Sequence, residues 1–284
     1  MTSTSSTTSH AAPGRDAREV DEAAIRRFRA EHPGLQLAPV VVVIPALNAE
    51  ACIGDVLAAI SKEACGLAVD TLVVDDGSSD GTGRVARAHG ACVARRERNH
   101  GQGAAFRVGY RLAWEHGARY VVTLDADGQW DPADVPAVLQ PVVDDEADLA
   151  LGSRVLGRAE TDDVVRGLGV RVFSVLARVL TGTAVSDTST GLRAMKAAVG
   201  VTVPLEQPQY QSSELLLGAL LRGYRVTERP VVMRRRSAGE SKKGHNALYG
   251  FRYARAMLAT WRRDRRSSAL PAPRDAAGVE RSGA

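Results

Sequence analysis

The feature that most constrains this chain is an exchange of apolar runs and helical spacing that begins at residue 39. PVVVVIPA reads as a strand and NAEACIGDVLAAISKE as a helix. VDTLVVDDG, ACVARRE and RYVVTLDAD read as further strands, separated by the helical stretches SDGTGRVARAHG and GQGAAFRVGYRLAWEHG, and ADLALGSR as one more strand. Continuously apolar strands belong in a mostly parallel sheet with helices on both faces, an α/β domain. Right-handed crossovers bring the strand C-termini to one edge, where open α/β sheets bind ligands. One domain is expected over 37–243. Ahead of it, 1–36 should hold a disordered tail and a short helix, DAREVDEAAIRRFRAEHPG, stopped at Pro33 and Gly34. Behind it, 244–284 reads as a basic amphipathic helix and a flexible tail.

Three strand ends carry candidate chemistry. IPALNAE ends its strand at Pro45 and offers Asn48 as a cap for the next helix. VVDDGSSDGT offers Asp75 and Asp76, carboxylates able to accept hydrogen bonds from a nucleobase or ribose. VTLDADGQW runs an apolar strand into Asp125, Asp127 and Gln129. On extended backbone these alternate side chains share a face, and two converging carboxylates call for a cation between them. Oxygen ligands suit Mg²⁺ or Mn²⁺. Each stretch alone could be turn and cap chemistry; together at one sheet edge they point to a nucleotide and metal site. A dinucleotide fold needs G-x-G-x-x-G after the first strand, where this chain has PALNAE, and no G-x-x-x-x-G-K-[ST] occurs. Hydride transfer and P-loop hydrolysis are therefore set aside.

The overall charge is only +4, but it is unevenly spread. Between Arg222 and Arg266 fourteen Lys or Arg face only Glu228, Glu240 and Asp264, a local excess of about +11. Such a segment suits a polyanionic surface or a phosphate-bearing ligand, or is a solvated basic face. Cys52, Cys65 and Cys92 form no C-x-x-C pair and read as thiols of a reducing cytoplasm. No run approaches the ~20 apolar residues of a spanning helix. The expected location is cytoplasmic, with attachment to the cytoplasmic membrane face as a peripheral protein.

The ordered set VVVIPALNAE, VVDDGSSDGT, NHGQGAAFRVGY, LDADGQ, GSR, SDTSTGLRA, SSELLLGALLRGYRVTERP and RRRSAGESK, over residues 40–243, resembles family 2 glycosyltransferases of the GT-A fold. Within them it looks most like the dolichol-phosphate (polyprenol-phosphate) mannose synthase branch. The resemblance implies an inverting transfer of a hexose, mannose or glucose, from a GDP- or UDP-sugar to polyprenyl phosphate, with no nucleic-acid partner. Pro45, Asn48, Glu50, Asp75, Asp76 and Gly101 would line the nucleotide pocket. Asp125, Asp127 and Gln129 would hold Mg²⁺ or Mn²⁺, with Asp125 near ribose and diphosphate. Trp130 stands where the family often has His.

The acceptor in this branch is an anion already nucleophilic, so cations that position it matter more than a strong base. The matching positions are Arg154, Arg166, Arg236, Ser241 and Lys242, with Arg193 and Asp187 near the sugar. Glu214 reads equally as a structural carboxylate. A soluble acceptor, or a decayed sugar-binding site, are the alternative readings. VVRGLGVRVFSVLARVLTG (164–182) and ALYGFRYARAMLATWRR (247–263) mix apolar and basic residues; the second puts Leu248, Phe251, Ala254, Leu258 and Trp261 at helical spacing. Such helices lie on anionic membranes or pack on a domain.

Overall fold

The computed structural model describes residues 15–160, 164–235 and 247–265, without the side chains of 164–168 and 247–249. The first half runs α1 (Arg15–Glu31), β1 (Val40–Ala46), α2 (Ile53–Ala59), β2 (Glu63–Ala64), β3 (Leu67–Asp75), α3 (Thr82–Ala88), β4 (Cys92–Arg95), α4 (Gln102–Glu115) and β5 (Tyr120–Thr123). A 3-10 turn (Pro132–Asp134) then leads into α5 (Val135–Val143) and β6 (Leu149–Ala159). The chain continues through α6 (Val164–Thr181), β7 (Arg193–Lys196), α7 (Ala197–Thr202), α8 (Gln211–Leu221), β8 (Val226–Met233) and α9 (Ala247–Asp264).

The strands form one sheet in the order β2-β3-β1-β5-β7-β6-β8, with β4 beside β3. β4, β3, β1 and β5 are parallel, and so are β6 and β8. β7 runs antiparallel to both its neighbours, as does the short β2 to β3. The sheet is thus mostly parallel, and β1 lies between β3 and β5 with every residue buried. Alternation decides where its side chains go. Val41 and Val43 join one core with Phe28, Phe106, Leu112 and Leu216, under α1, α4 and α8. Val40, Val42 and Ile44 join a second core with Ile53, Leu57, Val138 and Leu139, under α2 and α5. Each buried Val contributes about 1.5–3 kcal/mol by leaving water, so the two-sided burial of β1 fixes its place. Pro45 is compatible with it because pairing with β5 has already ended at Val43.

β7 and β8 were not expected as strands. β7 is four residues long and carries two cations, and β8 is only half-buried over its first four residues. Their positions come from sheet pairing, not from an apolar run. The expected tails, 1–14 and 266–284, lie outside the described residues.

Candidate active site

The loops after β1 and β3 are tied to each other. The Asn48 N–H donates to Ser78 Oγ (3.0 Å), and Asn48 Oδ1 accepts from the Ser79 N–H (2.9 Å). The Ala49 N–H donates to Thr82 Oγ1 (2.8 Å), and the Gly81 N–H to Glu50 Oε2 (2.8 Å). Asn48 does not cap α2; Cys52 occupies that position and makes no side-chain cap hydrogen bond. At φ 51° Asn48 sits in the left-handed region that Asn tolerates, and its amide serves the neighbouring loop instead. Asp75 is fully buried, accepting from the Ser78 N–H (2.8 Å) and from Arg95 Nη1 (2.8 Å). Asp76 is buried against Arg96. Burial pushes its carboxyl up to about 6, against the opposing pull of Arg96 and the His100 N–H.

β5 stops at Thr123, so Asp125, Asp127 and Gln129 lie on a turn, not on extended strand as the spacing predicts. The turn is closed by Gly128 at φ 69° and by a bridge between Trp130 and Met233. Asp125 is held from two sides. Its Oδ1 accepts from Gln102 Nε2 (2.7 Å), and its Oδ2 from Trp130 Nε1 (3.2 Å). Gln102 is oriented in turn by Gln211 Nε2 (2.6 Å). The unusual Trp130 therefore has a role: its indole N–H orients the first carboxylate of the turn. Gly191 is required beside it, since a Cβ there would stand 2.1 Å from Asp125 Oδ2. Asp127 Oδ1 accepts from the Gln129 N–H (3.1 Å), and the buried Gln129 is anchored to the Arg234 backbone.

Among the described residues no three His, Cys, Asp or Glu side chains form an all-protein metal cage. Asp125 and Asp127, both partly exposed, supply hard oxygen donors on one turn. That set fits a Mg²⁺-like ion, which keeps waters and shares substrate phosphates and needs only one or two protein carboxylates.

Arg154 and Arg193 differ sharply. Arg154 Nε and Nη2 pair with Asp187 (3.0 and 3.1 Å), Nη2 also donates to Ser189 Oγ (2.5 Å), and Nη1 meets Met233 Sδ (3.1 Å). Each of its nitrogens already has a protein partner. Asp187 is fully buried, and Glu228 holds its loop by accepting from the N–H groups of Ser186 (2.8 Å) and Asp187 (3.1 Å). Arg193 is also buried, at 1% exposure, yet none of its three nitrogens has a hydrogen-bond partner among the described residues. Its guanidinium lies 5.6 Å from the Phe106 ring centroid. Tyr110 stacks on Phe106 (5.3 Å), and its hydroxyl is likewise unpaired.

Glu214 is an anchor. Its carboxylate accepts from the N–H groups of Glu206 (2.9 Å) and Gln207 (2.8 Å) and from Arg263 Nη1 (2.7 Å). The loop it holds presses on the start of α4, where a Cβ on Gly101 would lie 2.3 Å from Pro208 O. With φ 89° as well, that position admits only glycine. Sequence reasoning named Gly101 and Glu214 without this link. It missed Gln102, Gln211 and Glu228, although Gln102 stood in NHGQGAAFRVGY and Glu228 in SSELLLGALLRGYRVTERP, stretches already singled out.

The sequence model of glycosyl transferase family 2 matches residues 41–199. A dolichyl-phosphate hexose transferase of Haloferax volcanii is 35% identical over 201 residues, covering 71% of this chain and 85% of that protein. The chain belongs to glycosyl transferase family 2. It is a glycosyltransferase. A polyprenol monophosphomannose synthase of Mycolicibacterium smegmatis is 31% identical over 208 residues, covering 68% of this chain and 76% of that one. Among solved structures, glucosyl-3-phosphoglycerate synthase of Mycobacterium tuberculosis, in complex with Mn²⁺, UDP and glucosyl-3-phosphoglycerate, aligns with a TM-score of 0.63 at 23% identity. The alignment covers 89% of this chain and 86% of that one, and the fold is GT-A.

Of the family positions expected to meet the acceptor, Arg236, Ser241 and Lys242 lie outside the described residues, as does the Arg166 side chain, though its backbone is in α6. α6 and α9 pack together, with Phe173 and Tyr253 ring centroids 4.1 Å apart. α9 buries Tyr253, Ala256, Met257 and Thr260 against the domain and leaves Phe251 exposed. Ala254, Leu258 and Trp261, from the expected stripe, are half-buried on its flank. α6 exposes Val172, Val175 and Val179 beside Arg171 and Arg178, and β6 exposes Val155 and Leu156. No described helix is long and apolar enough to cross a membrane.

Proposed function

We propose that this glycosyltransferase transfers a hexose, mannose or glucose, from a GDP- or UDP-sugar to a polyprenyl phosphate at a membrane surface, with inversion at the anomeric carbon. The observation that carries the reading is Asp125 held between Gln102 and Trp130, on a turn with Asp127. The donor nucleoside would lie against the joined loops that carry Pro45, Asn48, Glu50, Asp75, Asp76 and Gly101. Asp125 and Asp127, with the Gln129 amide, would hold Mg²⁺ or Mn²⁺. When bound, that ion neutralises the diphosphate and favours its departure. The Gln102 and Trp130 N–H groups fix the Asp125 carboxylate, so its lone pairs are aimed before substrate arrives.

Arg193 is a cation available to developing charge, because its nitrogens have no hydrogen-bond partner among the described residues and are shielded from water. Arg154, saturated by Asp187, Ser189 and Met233, acts by fixing the loop at 186–189 more than by gripping phosphate. Phosphate capture then falls to Arg166 and to the Arg236, Ser241 and Lys242 segment. Support for a lipid acceptor comes from the names of the two relatives and from the exposed valines of α6 among arginines, a pattern that favours anionic membrane surfaces.

Two measurements test the reading. With labelled donor, Mn²⁺ and polyprenyl phosphate, label should move to the organic phase on extraction. Label found only on a water-soluble product would replace the lipid acceptor with a soluble one. In flotation with vesicles containing anionic lipid, Val175→Asp with Val179→Asp should weaken binding at least tenfold. Two buried valines are worth roughly 3 kcal/mol, and ~1.4 kcal/mol is tenfold. Unchanged flotation would remove α6 from the membrane face.

A further inference from the structure

We propose that α1 is a working part of the donor site, with Asp21 a positioning residue that holds Arg96 against Asp76. The inference rests on the reading that Asp76 contacts the donor nucleoside. α1 precedes the segment matched by the family model, which begins at residue 41. Its buried stripe is Ala17, Val20, Asp21, Ala24, Ile25 and Phe28, so one carboxylate interrupts an otherwise apolar face. A helix serving only as cover has no use for a carboxylate there, since a buried charge destabilises unless it is paired.

Asp21 is paired on both oxygens. Oδ1 accepts from Arg96 Nε (3.0 Å), with Arg96 Nη2 at 2.7 Å. Oδ2 accepts from Arg107 Nε (3.1 Å) and Nη2 (2.7 Å). Arg107 Nη1 donates onward to Leu205 O (2.7 Å). Arg96, the residue after β4, has no exposure, and its Nη1 bonds Asp76, the residue after β3. Two contacts therefore connect α1 to Asp76. The four groups, two carboxylates and two guanidiniums, balance in charge. Removing Asp21 leaves Arg96 shared by nothing but Asp76 and frees its far side to move.

Other charged groups stand beside this cluster: Arg98 lies 3.7 Å from Asp16 of α1, and Arg18, Glu22, Arg111 and Glu206 line the cavity that Asp21 and Arg107 share. The His100 N–H bonds Asp76, while the His100 imidazole lies 3.7 Å from Asp16 of α1. Burial and Arg96 hold that imidazole below its usual range. Asp76 titrates near 6, and Asp21 is among the groups that raise it. In the wild type nucleotide affinity should fall as pH drops through about 6, because Asp76 then loses its charge. Without Asp21 the carboxyl of Asp76 is easier to ionise, and that acid limb moves to lower pH.

The experiment titrates the purified full chain with GDP and with UDP in Mn²⁺, and measures donor KM and kcat, melting temperature and pH dependence. Asp21→Asn should weaken the nucleotide that binds by about tenfold, ~1.4 kcal/mol, and raise donor KM in proportion. Its kcat should stay within about twofold, since no reacting atom is touched. Asp21→Glu, which keeps the charge but shifts it by one methylene, should be intermediate, and serves as the folded variant if Asp21→Asn does not fold. Adding Asp21→Asn to Asp76→Asn should cost no further affinity, because both act through one carboxylate. Asp76→Asn also separates the acid limb from His100, whose titration it leaves in place. Glu22→Gln, on α1 but paired with Arg111, should change nothing. A lowered melting temperature with unchanged affinity, KM and acid limb in both Asp21 variants would make α1 simple packing and end the proposal. Unchanged affinity in Asp76→Asn would instead overturn the donor-site reading beneath it.

Discussion

Asp127→Asn should lower donor turnover at least a thousandfold while the protein stays folded. The substitution removes one charge and keeps the hydrogen bond within the turn, because the amide oxygen can still accept from the Gln129 N–H as Asp127 Oδ1 does. A thousandfold is about 4 kcal/mol of transition-state stabilisation, a size consistent with loss of a metal-holding carboxylate. Asp125→Asn should be as damaging to activity and should also disturb the fold locally. Both Asp125 oxygens accept, one from Gln102 and one from Trp130. An Asn amide must turn its NH₂ toward one of these donors. Losing a hydrogen bond to a charged group costs about 1.5–3 kcal/mol, and ~1 kcal/mol moves the melting point of a chain this size by about 2–4 °C. Both variants should lose turnover, and Asp125→Asn should also lower the melting temperature through its hydrogen bonds to Gln102 and Trp130. Mn²⁺ binding in the presence of nucleoside diphosphate, followed by electron paramagnetic resonance, should weaken in both. Turnover by Asp127→Asn within tenfold of the wild type would remove the metal from this turn.

What the sequence made legible, and what it hid, follows from the range of the interactions. β1, β3 and β5 announced themselves because burial on two faces demands continuous apolar residues, and the crossovers between them are amphipathic helices. The edge where their ends meet follows from handedness. The motif carboxylates were visible as residue types, but their environment was not. Asp75 and Asp76 were expected as acceptors for a ligand; in the fold they are buried and already paired with Arg95 and Arg96. Arg154 was expected to grip phosphate and is committed to Asp187. Asn48 was expected to cap α2 and instead joins two loops, since a left-handed φ directs its amide elsewhere. In each case the deciding partner is distant in sequence, and neither spacing nor composition encodes it. Trp130 shows the same limit from the other side. It departs from the family pattern, and the turn uses its N–H to hold Asp125.

Arg193→Met should make the protein more stable and less active. A guanidinium at 1% exposure with no hydrogen-bond partner among the described residues is an uncompensated buried charge, relieved only in part by the Phe106 face. Replacing buried ionic groups by apolar ones of similar volume is often neutral or stabilising by ~1–4 kcal/mol. The cation–π contact given up is worth about 0.5–2 kcal/mol. A rise in melting temperature of a few degrees is the expected net result, at ~2–4 °C per kcal/mol. Activity should move the other way. Arg193 is in register with Thr123, the last residue of β5 before the turn that carries Asp125. A charge kept unpaired there is useful only if the reaction supplies its partner, and the departing diphosphate does so. Loss of one such electrostatic contact typically lowers kcat about 10²–10³-fold. Arg193→Lys should keep part of the activity and none of the stability gain, since the ammonium is charged but lacks the planar fork. Opposite signs of the two effects are what distinguish a residue retained for catalysis from one retained for packing. A fall in melting temperature together with activity in Arg193→Met would make Arg193 part of the core, and would leave the developing charge to another cation.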